Sequence, residues 1–304
     1  QQPTSVNPTA SSVKEEQLFQ QLRQLDGRVS IPDRKSSVLI QPAGQNWRQF
    51  HEVTLRWIGG IAIIGMLAVL VVFDAVRGMI KISRGRSGRT ITRFNGFERF
   101  VHWLTAGTFV ILALSGLNIT FGKSLLLPLM SPEAFTALSQ WGKYAHNYLS
   151  FPFTIGLVLI FLIWIKDNFP SGLDVQWIKE GGGFIGDRHP PARRFNAGQK
   201  IIYWLVVLGG AAIAISGYIL MFPFYGDITV SGMQTAQTVH GVVGVLLIAV
   251  MLAHIYIGTI GMEGAFEAMG SGEVDLNWAK DHHSLWVEEE MSGGTAGAKA
   301  SPAE

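Results

Sequence analysis

Five apolar segments, each about as long as a membrane-crossing helix, restrict the fold of this chain more than any other feature. They cover about residues 57–73, 100–121, 144–165, 201–222 and 239–260. A helix needs about 20 apolar residues to cross the hydrocarbon core of a bilayer. Charged residues make up 15% of the chain, whereas a soluble domain has about 25%. We therefore expect an all-α integral membrane protein, embedded in a lipid bilayer.

Charge and cysteine content exclude several functions. The net charge of +2 is too small to indicate a nucleic-acid partner. The chain has no cysteine, which excludes disulfides, iron–sulfur clusters ligated by this chain, thiolate nucleophiles and covalently attached haem. The chain opens on Gln1 and not on Met. A removed secretory signal and an artificial start are both open, and the first would place the N-terminus outside the cytoplasm.

Four of the eight histidines lie in the apolar segments, namely His102, His146, His240 and His254. An ionisable side chain at membrane depth is costly and indicates a functional site. His240 and His254 are fourteen residues apart in one segment. At about 100° and 1.5 Å per residue they lie on nearly the same helix face, roughly 21 Å apart along the axis. The other four are expected at solvent or interface positions: His51, His189, His282 and His283.

The distribution of Lys and Arg in the loops predicts the orientation of the chain. Seven basic residues lie around the first connection: Arg77, Lys81, Arg84, Arg86, Arg89, Arg93 and Arg99. Six lie around the third: Lys166, Lys179, Arg188, Arg193, Arg194 and Lys200. The opposite loops hold only Lys123 and Lys143. We expect the basic loops in the cytoplasm, with the N-terminus periplasmic and the C-terminus cytoplasmic.

Depth in this topology pairs the four histidines. His102 and His254 fall near the cytoplasmic side, and His146 and His240 fall near the outer side. Two axial imidazoles suit a low-spin haem b that transfers single electrons. Zinc fits less well because it prefers about four ligands. The alternative is that each histidine hydrogen-bonds to a neighbouring helix or lies at an interface.

Small residues are expected around a porphyrin, because the macrocycle fills space that side chains would otherwise take. The segments contain several glycines that could serve in this way: Gly107, Gly116, Gly156, Gly241 and Gly244. The alternative is that these glycines only let helices approach closely, as small residues do in membrane bundles.

Six short stretches carry a resemblance to a known family. They are 94–103 (FNGFERFVHW), 113–116 (ALSG), 195–200 (FNAGQK), 240–244 (HGVVG), 253–256 (AHIY) and 277–283 (NWAKDHH). In this order the chain resembles the cytochrome b (gamma) subunit of membrane-bound respiratory formate dehydrogenases, over about residues 92–286. The Arg-x-x-His-Trp part alone is also similar to the cytochrome b subunits of nickel–iron hydrogenases.

The resemblance implies a four-helix transmembrane bundle that binds two b haems, at residues 92–262. The chain adds a polar extracytoplasmic arm at 1–55, an extra N-terminal transmembrane helix at 56–78 and a cytoplasmic tail at 263–304. The family pattern assigns the axial positions of the outer haem to His146 and His240, and those of the inner haem to His102 and His254.

The resemblance also implies a quinone site beside the inner haem, at Asn196, Gly198 and Gln199. Amide groups can bond to a quinone carbonyl without a fixed charge, and Gly198 lets the backbone approach the ring. The alternative is that Asn196 only caps the helix that follows it.

By this resemblance the chain is not an enzyme on its own. It would receive electrons from an iron–sulfur beta subunit and a catalytic alpha subunit with molybdenum or tungsten, and pass them to menaquinone or ubiquinone in the bacterial inner membrane. The first alternative is the cytochrome b subunit of a nickel–iron hydrogenase or thiosulfate reductase. An alternative of a different class is a haem-free membrane transporter or scaffold.

Overall fold

The computed structural model describes residues 42–184, 189–226 and 228–292. Most of the arm predicted at 1–55 lies outside these residues. The chain divides into two compact units, Gln1–Leu55 and Arg56–Glu304. In the first unit, helix α1 covers Pro42–Gln49 and a π-helical stretch covers Phe50–Thr54. The described end of the predicted arm is therefore helical.

The second unit is a bundle of long helices with short elements at one end. Its helices begin with α2 (Leu55–Arg77), α3 (Gly96–Leu125), α4 (Pro132–Trp164), α5 (Gly172–Lys179), α6 (Ala197–Trp204) and α7 (Gly210–Met221). They continue with α8 (Val230–Tyr256), α9 (Glu267–Gly270), α10 (Leu276–His282) and α11 (Ser284–Ser292). Short 3₁₀ segments cover Leu127–Leu129 and Ile165–Asp167, and π-helical turns cover Leu205–Gly209 and Ile257–Gly261. The strands are β1 (Thr90–Thr92) and β2 (Glu273–Asp275).

Within the described residues, five helices are long and apolar enough to cross a membrane, which confirms the predicted fold class. They cover Asn46–Arg77, Gly96–Leu125, Pro132–Asp167, Ala197–Met221 and Val230–Gly261. Large apolar side chains point outward from them, and Ile61, Ile64 and Val71 are each at least 66% exposed. Such a surface suits contact with lipid chains, which solvate apolar groups without cost.

Several helices begin earlier than the apolar segments predict, because polar side chains cap them. Ser131 Oγ accepts a hydrogen bond from the Ala134 amide at 3.2 Å and starts α4 at Pro132. Thr229 Oγ1 accepts one from the Gly232 amide at 3.1 Å and starts α8. These caps satisfy backbone donors at the first turn, and hydropathy alone does not detect them.

The loops 78–95, 165–184 and 189–196 and the segment 262–292 lie at one end of the bundle, here called the basic end. Strands β1 and β2 pair there antiparallel, with Ile91 opposite Val274. Buried side chains of both, together with Val101 of α3 and Trp278 of α10, belong to one apolar cluster. Much of the predicted tail is thus packed into the same core as the start of α3.

The extra helix α2 packs against helices of the predicted four-helix core. A Cβ atom at Gly59 would lie 3.0 Å from the ring of Phe121 on α3 and 3.1 Å from Val245 on α8. Near its other end, Asp74 Oδ1 accepts a hydrogen bond from the Tyr256 hydroxyl at 2.8 Å. The helix is therefore fastened to α8 at both ends.

Candidate functional site: two histidine pairs

The four histidines of the apolar segments lie in two pairs. The ring centroids of His146 and His240 are 6.0 Å apart, and those of His102 and His254 are 6.4 Å apart. A metal bound by one nitrogen of each ring at about 2 Å requires centroids about 6 Å apart. Both separations suit an iron between the rings, and the pairs are those expected from depth.

The ring of His146, on α4, is held by a Ser–Gly pair on α3. Ser115 Oγ lies 2.9 Å from His146 Nδ1, and it donates its own proton to the Ile111 carbonyl at 2.8 Å. The serine must therefore accept from Nδ1–H, which leaves Nε2 with a free lone pair. A Cβ atom at Gly116 would lie 3.5 Å from the ring, so the glycine lets the ring approach α3.

The ring of His240, on α8, is held in the same way from α7. Its Nδ1 lies 2.9 Å from the Ile213 carbonyl oxygen and 3.2 Å from Ser216 Oγ. Because a carbonyl only accepts, Nδ1 carries the proton and Nε2 is again free to bind a metal. A Cβ atom at Gly217 would lie 3.0 Å from the ring.

The other pair has no such support. His102 Nδ1 is buried and has no hydrogen-bond partner in the described part of the chain. Across residues 42–184, 189–226 and 228–292, His254 likewise makes no hydrogen bond. The two rings are placed only by their helices and by neighbours such as Trp103, whose ring centroid is 5.2 Å from that of His102.

The glycines divide between the two roles that the sequence leaves open. A Cβ atom at Gly107 or Gly244 would meet nothing within 4 Å, which suits space beside a planar cofactor. A Cβ atom at Gly156 would instead lie 3.2 Å from Thr105 Cβ. For Gly156 the expectation of room for a porphyrin is wrong, because the residue allows α3 and α4 to approach closely.

The candidate quinone residues form the first turn of α6. Asn196 Oδ1 accepts from the Gln199 amide at 3.0 Å, and Gln199 Oε1 accepts from the Asn196 amide at 3.1 Å. This reciprocal arrangement is a capping box. A Cβ atom at Gly198 would lie 3.0 Å from the indole of Trp177. Both amide oxygens are engaged, whereas the amide nitrogens make no hydrogen bond in the described part of the chain.

The C-terminal segment and Arg93 both form hydrogen bonds with the loop that leads to Asn196. His283 Nδ1 donates to the Arg193 carbonyl at 2.8 Å. Arg93 Nη2 donates to the Arg194 carbonyl at 2.6 Å. Together with the Leu285 amide, which donates to the Ala192 carbonyl at 3.2 Å, these bonds engage three consecutive carbonyl groups of the loop.

Two histidines expected at solvent or interface positions are buried at the basic end. His282 is 8% exposed and His283 is fully buried. Burial lowers the pKa of His282 to about 4, although Asp281 opposes the shift. Burial and then the charge of Arg93 hold the pKa of His283 well below its usual range. The solvent expectation is wrong because the rings of Trp278 and Trp286 pack against the two histidines and Arg93, distant in sequence, lies beside them.

The guanidinium of Arg93 is also buried. Burial, and then the charge of Arg194, lowers its pKa to about 9. It lies over the rings of Phe94, Trp278 and Trp286, with centroid distances of 5.1, 5.5 and 5.1 Å. Such cation–π contacts stabilise a desolvated cation.

Sequence reasoning did not recognise Ser115 and Ser216 as supports of the histidine rings, although a signal exists. Ser115–Gly116 and Ser216–Gly217 are the same dipeptide, each preceded by an alanine two positions before the serine. Each lies on the helix that faces a histidine of the same pair. A repeated Ser–Gly in two apolar segments could have been recognised as a ring support.

Comparison with known proteins identifies the family. A family model described as prokaryotic cytochrome b561 matches residues 93–272. The chain belongs to this family. Membership of the cytochrome b561 family implies haem b, and the two pairs of rings, with Nε2 free in one of them, fit that group.

Relatives of this cytochrome b561 chain carry a consistent name. The formate dehydrogenase cytochrome b556(fdo) subunit of Escherichia coli K12 is 27% identical over 203 residues, which cover 66% of this chain and 93% of that protein. The nitrate-inducible cytochrome b556(Fdn) subunit of the same organism is 25% identical, with 66% and 92% covered. The formate dehydrogenase cytochrome b556 subunit of Haemophilus influenzae is 24% identical, with 70% and 88% covered. The resemblance stated from the sequence is confirmed.

Proposed function

We propose that the chain is the dihaem cytochrome b membrane anchor of a formate dehydrogenase, which passes electrons from an extrinsic iron–sulfur subunit to a membrane quinone. The observation that carries the proposal is the presence of two histidine pairs with ring centroids 6.0 and 6.4 Å apart. Each haem b, when bound, supplies a one-electron iron couple. The chain supplies the axial imidazoles, their orientation and an apolar surrounding.

His146 and His240 would hold the iron of the outer haem, and His102 and His254 that of the inner haem. The fourteen residues between His240 and His254 correspond to roughly 21 Å of helix, which would separate the two haem sites along α8. Gly107 and Gly244 would leave room for a porphyrin, because a Cβ atom at either position would meet nothing within 4 Å.

The quinone is reduced at the basic end, beside the first turn of α6. Asn196 and Gln199 direct their oxygens into the capping box, so their amide nitrogens are the groups that donate to a quinone carbonyl. Asn196 also lines a cavity with Trp177, Phe195 and Lys200. Trp177 and Phe195 are almost fully buried and form the apolar wall of this cavity, with the indole of Trp177 packed against Gly198.

The names of the relatives and the charge distribution support the proposed partners and location. The relatives are named as formate dehydrogenase subunits, which supports a complex of this chain with an iron–sulfur beta subunit and a molybdenum or tungsten alpha subunit. The basic end lies in the cytoplasm of a bacterium and the helices span its inner membrane, with the N-terminus periplasmic and the C-terminus cytoplasmic.

The haem assignment is tested by counting haems in the purified protein. The wild type is expected to hold two haem b per polypeptide, with a sharp b-type absorption band on reduction. His240→Ala should lose the outer haem and keep part of the inner one, because it removes one ligand of only one pair. His51→Ala, outside both pairs, is the control. A count below two in the wild type, or an unchanged count in His240→Ala, would refute the assignment.

The partner assignment is tested on the intact complex. Formate should reduce the haems of the complex, and the iron–sulfur and catalytic subunits should co-purify with this chain. Reduction by hydrogen but not by formate would instead assign the chain to a hydrogenase.

The quinone assignment is tested with a substitution that spares the helix cap. Gln199→Glu keeps an oxygen for the Asn196 amide but removes the amide donor, so it should slow quinol formation while both haems remain. Ser131→Ala, which removes a cap from α4, is the control for loss of a cap elsewhere. An unchanged rate in Gln199→Glu contradicts the assignment.

A further inference from the structure

The two histidine pairs differ in what their Nδ1 atoms contact. His146 donates to Ser115 Oγ at 2.9 Å. His240 donates to the Ile213 carbonyl at 2.9 Å, with Ser216 Oγ at 3.2 Å. Both serines donate their own protons to backbone carbonyls of their helices. Both rings of this pair therefore have a protein oxygen as a fixed acceptor.

The second pair lacks such acceptors. His102 Nδ1 is buried with no partner among the described residues. His254 makes no hydrogen bond in the same ranges of the chain. Both histidines of one pair have an acceptor at Nδ1 and both of the other pair lack one. The difference in hydrogen bonding therefore distinguishes one site as a whole from the other.

Hydrogen bonding at Nδ1 changes how an imidazole binds iron. An acceptor at Nδ1–H draws the proton and leaves more electron density on Nε2, which makes the ring a stronger donor. A stronger donor stabilises the more positive oxidation state of iron more than the less positive one. The reduction potential of the site therefore falls.

We propose that the site of His146 and His240 has a lower reduction potential than the site of His102 and His254, with Ser115 and Ser216 as positioning residues that act through the axial rings. The inference rests on the proposed dihaem function. The difference favours transfer of one electron from the first site, which is oxidised, to the second, which is reduced. In the proposed orientation this is the direction from the outer side to the cytoplasmic side.

The test is a spectroelectrochemical titration of the purified, haem-loaded protein. The wild type should titrate in two one-electron components. Ser115→Ala removes the hydroxyl acceptor of His146 at 2.9 Å and leaves only the Leu112 backbone carbonyl, so it should shift the lower-potential component upward. Loss of one hydrogen bond corresponds to about a fivefold change in the ratio of reduced to oxidised haem. Ser216→Ala should shift the same component less, because the Ile213 carbonyl still accepts from His240.

Two further variants separate this effect from general damage. Thr108→Val removes a buried hydroxyl of α3 that bonds only to its own helix, at 2.7 Å from the Leu104 carbonyl oxygen, and should shift neither component. Ser115→Thr keeps a hydroxyl at the position and should restore the lower potential. Ser216 lies on another helix, so the test stands even where Ser115→Ala fails to fold.

The outcomes distinguish the inference from the function on which it rests. An upward shift confined to the lower-potential component supports the inference. Two components that do not move in Ser115→Ala and Ser216→Ala, or a shift of the higher-potential component, overturn it while leaving the dihaem function intact. A wild-type titration with a single haem overturns both.

Discussion

The buried carboxylate of Glu98 should contribute more to stability than any exposed ion pair of the basic end. Its Oε1 accepts from Arg194 Nη2 at 2.6 Å and from Trp164 Nε1 at 2.8 Å, and the side chain is 6% exposed. Loss of one partner of a fully buried pair costs about 3–5 kcal/mol. Arg194 is 29% exposed and also pairs with Asp167, so it stays partly stabilised. We expect Glu98→Gln to lower the free energy of unfolding by about 2–3 kcal/mol.

The assay is reversible unfolding in mixed micelles, followed by tryptophan fluorescence, for a double-mutant cycle of Glu98→Gln and Arg194→Met. The cost of the double variant should fall short of the sum, because the two residues contact each other. The control is Glu289→Gln, since the pair of Glu289 with Arg193 has a similar length of 2.7 Å but side chains 51% and 66% exposed. That variant should change stability by less than about 1 kcal/mol. Equal effects of Glu98→Gln and Glu289→Gln would refute the argument from burial.

Two further predictions concern pH and packing. The pKa of His282 is about 4 in the folded chain against about 6.5 when unfolded, so its neutral form contributes stability above pH 6.5 that is lost as pH falls towards 4. The loss is about 3 kcal/mol. Between pH 7.5 and 4, the unfolding midpoint should depend less steeply on pH in His282→Asn than in the wild type. An equal pH dependence of the midpoint in both proteins would contradict the burial of His282. Gly156→Ala should destabilise the bundle by about 1–3 kcal/mol through overpacking, since its Cβ would lie 3.2 Å from Thr105 Cβ. Gly60→Ala, whose Cβ would meet nothing within 4 Å, is the control in thermal unfolding, and similar midpoints for the two variants would exclude the contact as the cause.

The membrane fold could be predicted from the sequence because hydropathy is a local property. Each of the five spans contains its own apolar segment, and only the ends differ, at caps such as Ser131 and Thr229. The strands β1 and β2 were not predicted. Each strand has only three residues, and their partners are far apart in the sequence, as Thr90 and Asp275 are. No local sequence pattern therefore predicts them.

The candidate site was predicted in part. The histidines could be recognised because an ionisable residue within an apolar segment can be identified from the sequence alone. The burial of His282 and His283 was not predicted, because the residues next to them in the sequence are polar. Their cover comes from Arg93, which is distant in the sequence, and from Trp286, which lies on α11.

The sequence by itself determined how many apolar helices the chain has and which imidazoles pair at the same level of the bundle, since helical periodicity and apolar length depend on neighbouring residues alone. Only the tertiary structure decided which atoms support those imidazoles. Ser115 meets His146 from another helix, Ser216 meets His240 across 24 residues, and His283 reaches the Arg193 carbonyl across 90. Contacts of this kind form only when helices pack against each other. Packing depends on how the side chains on all the contacting helix faces fit together, which local sequence patterns do not specify.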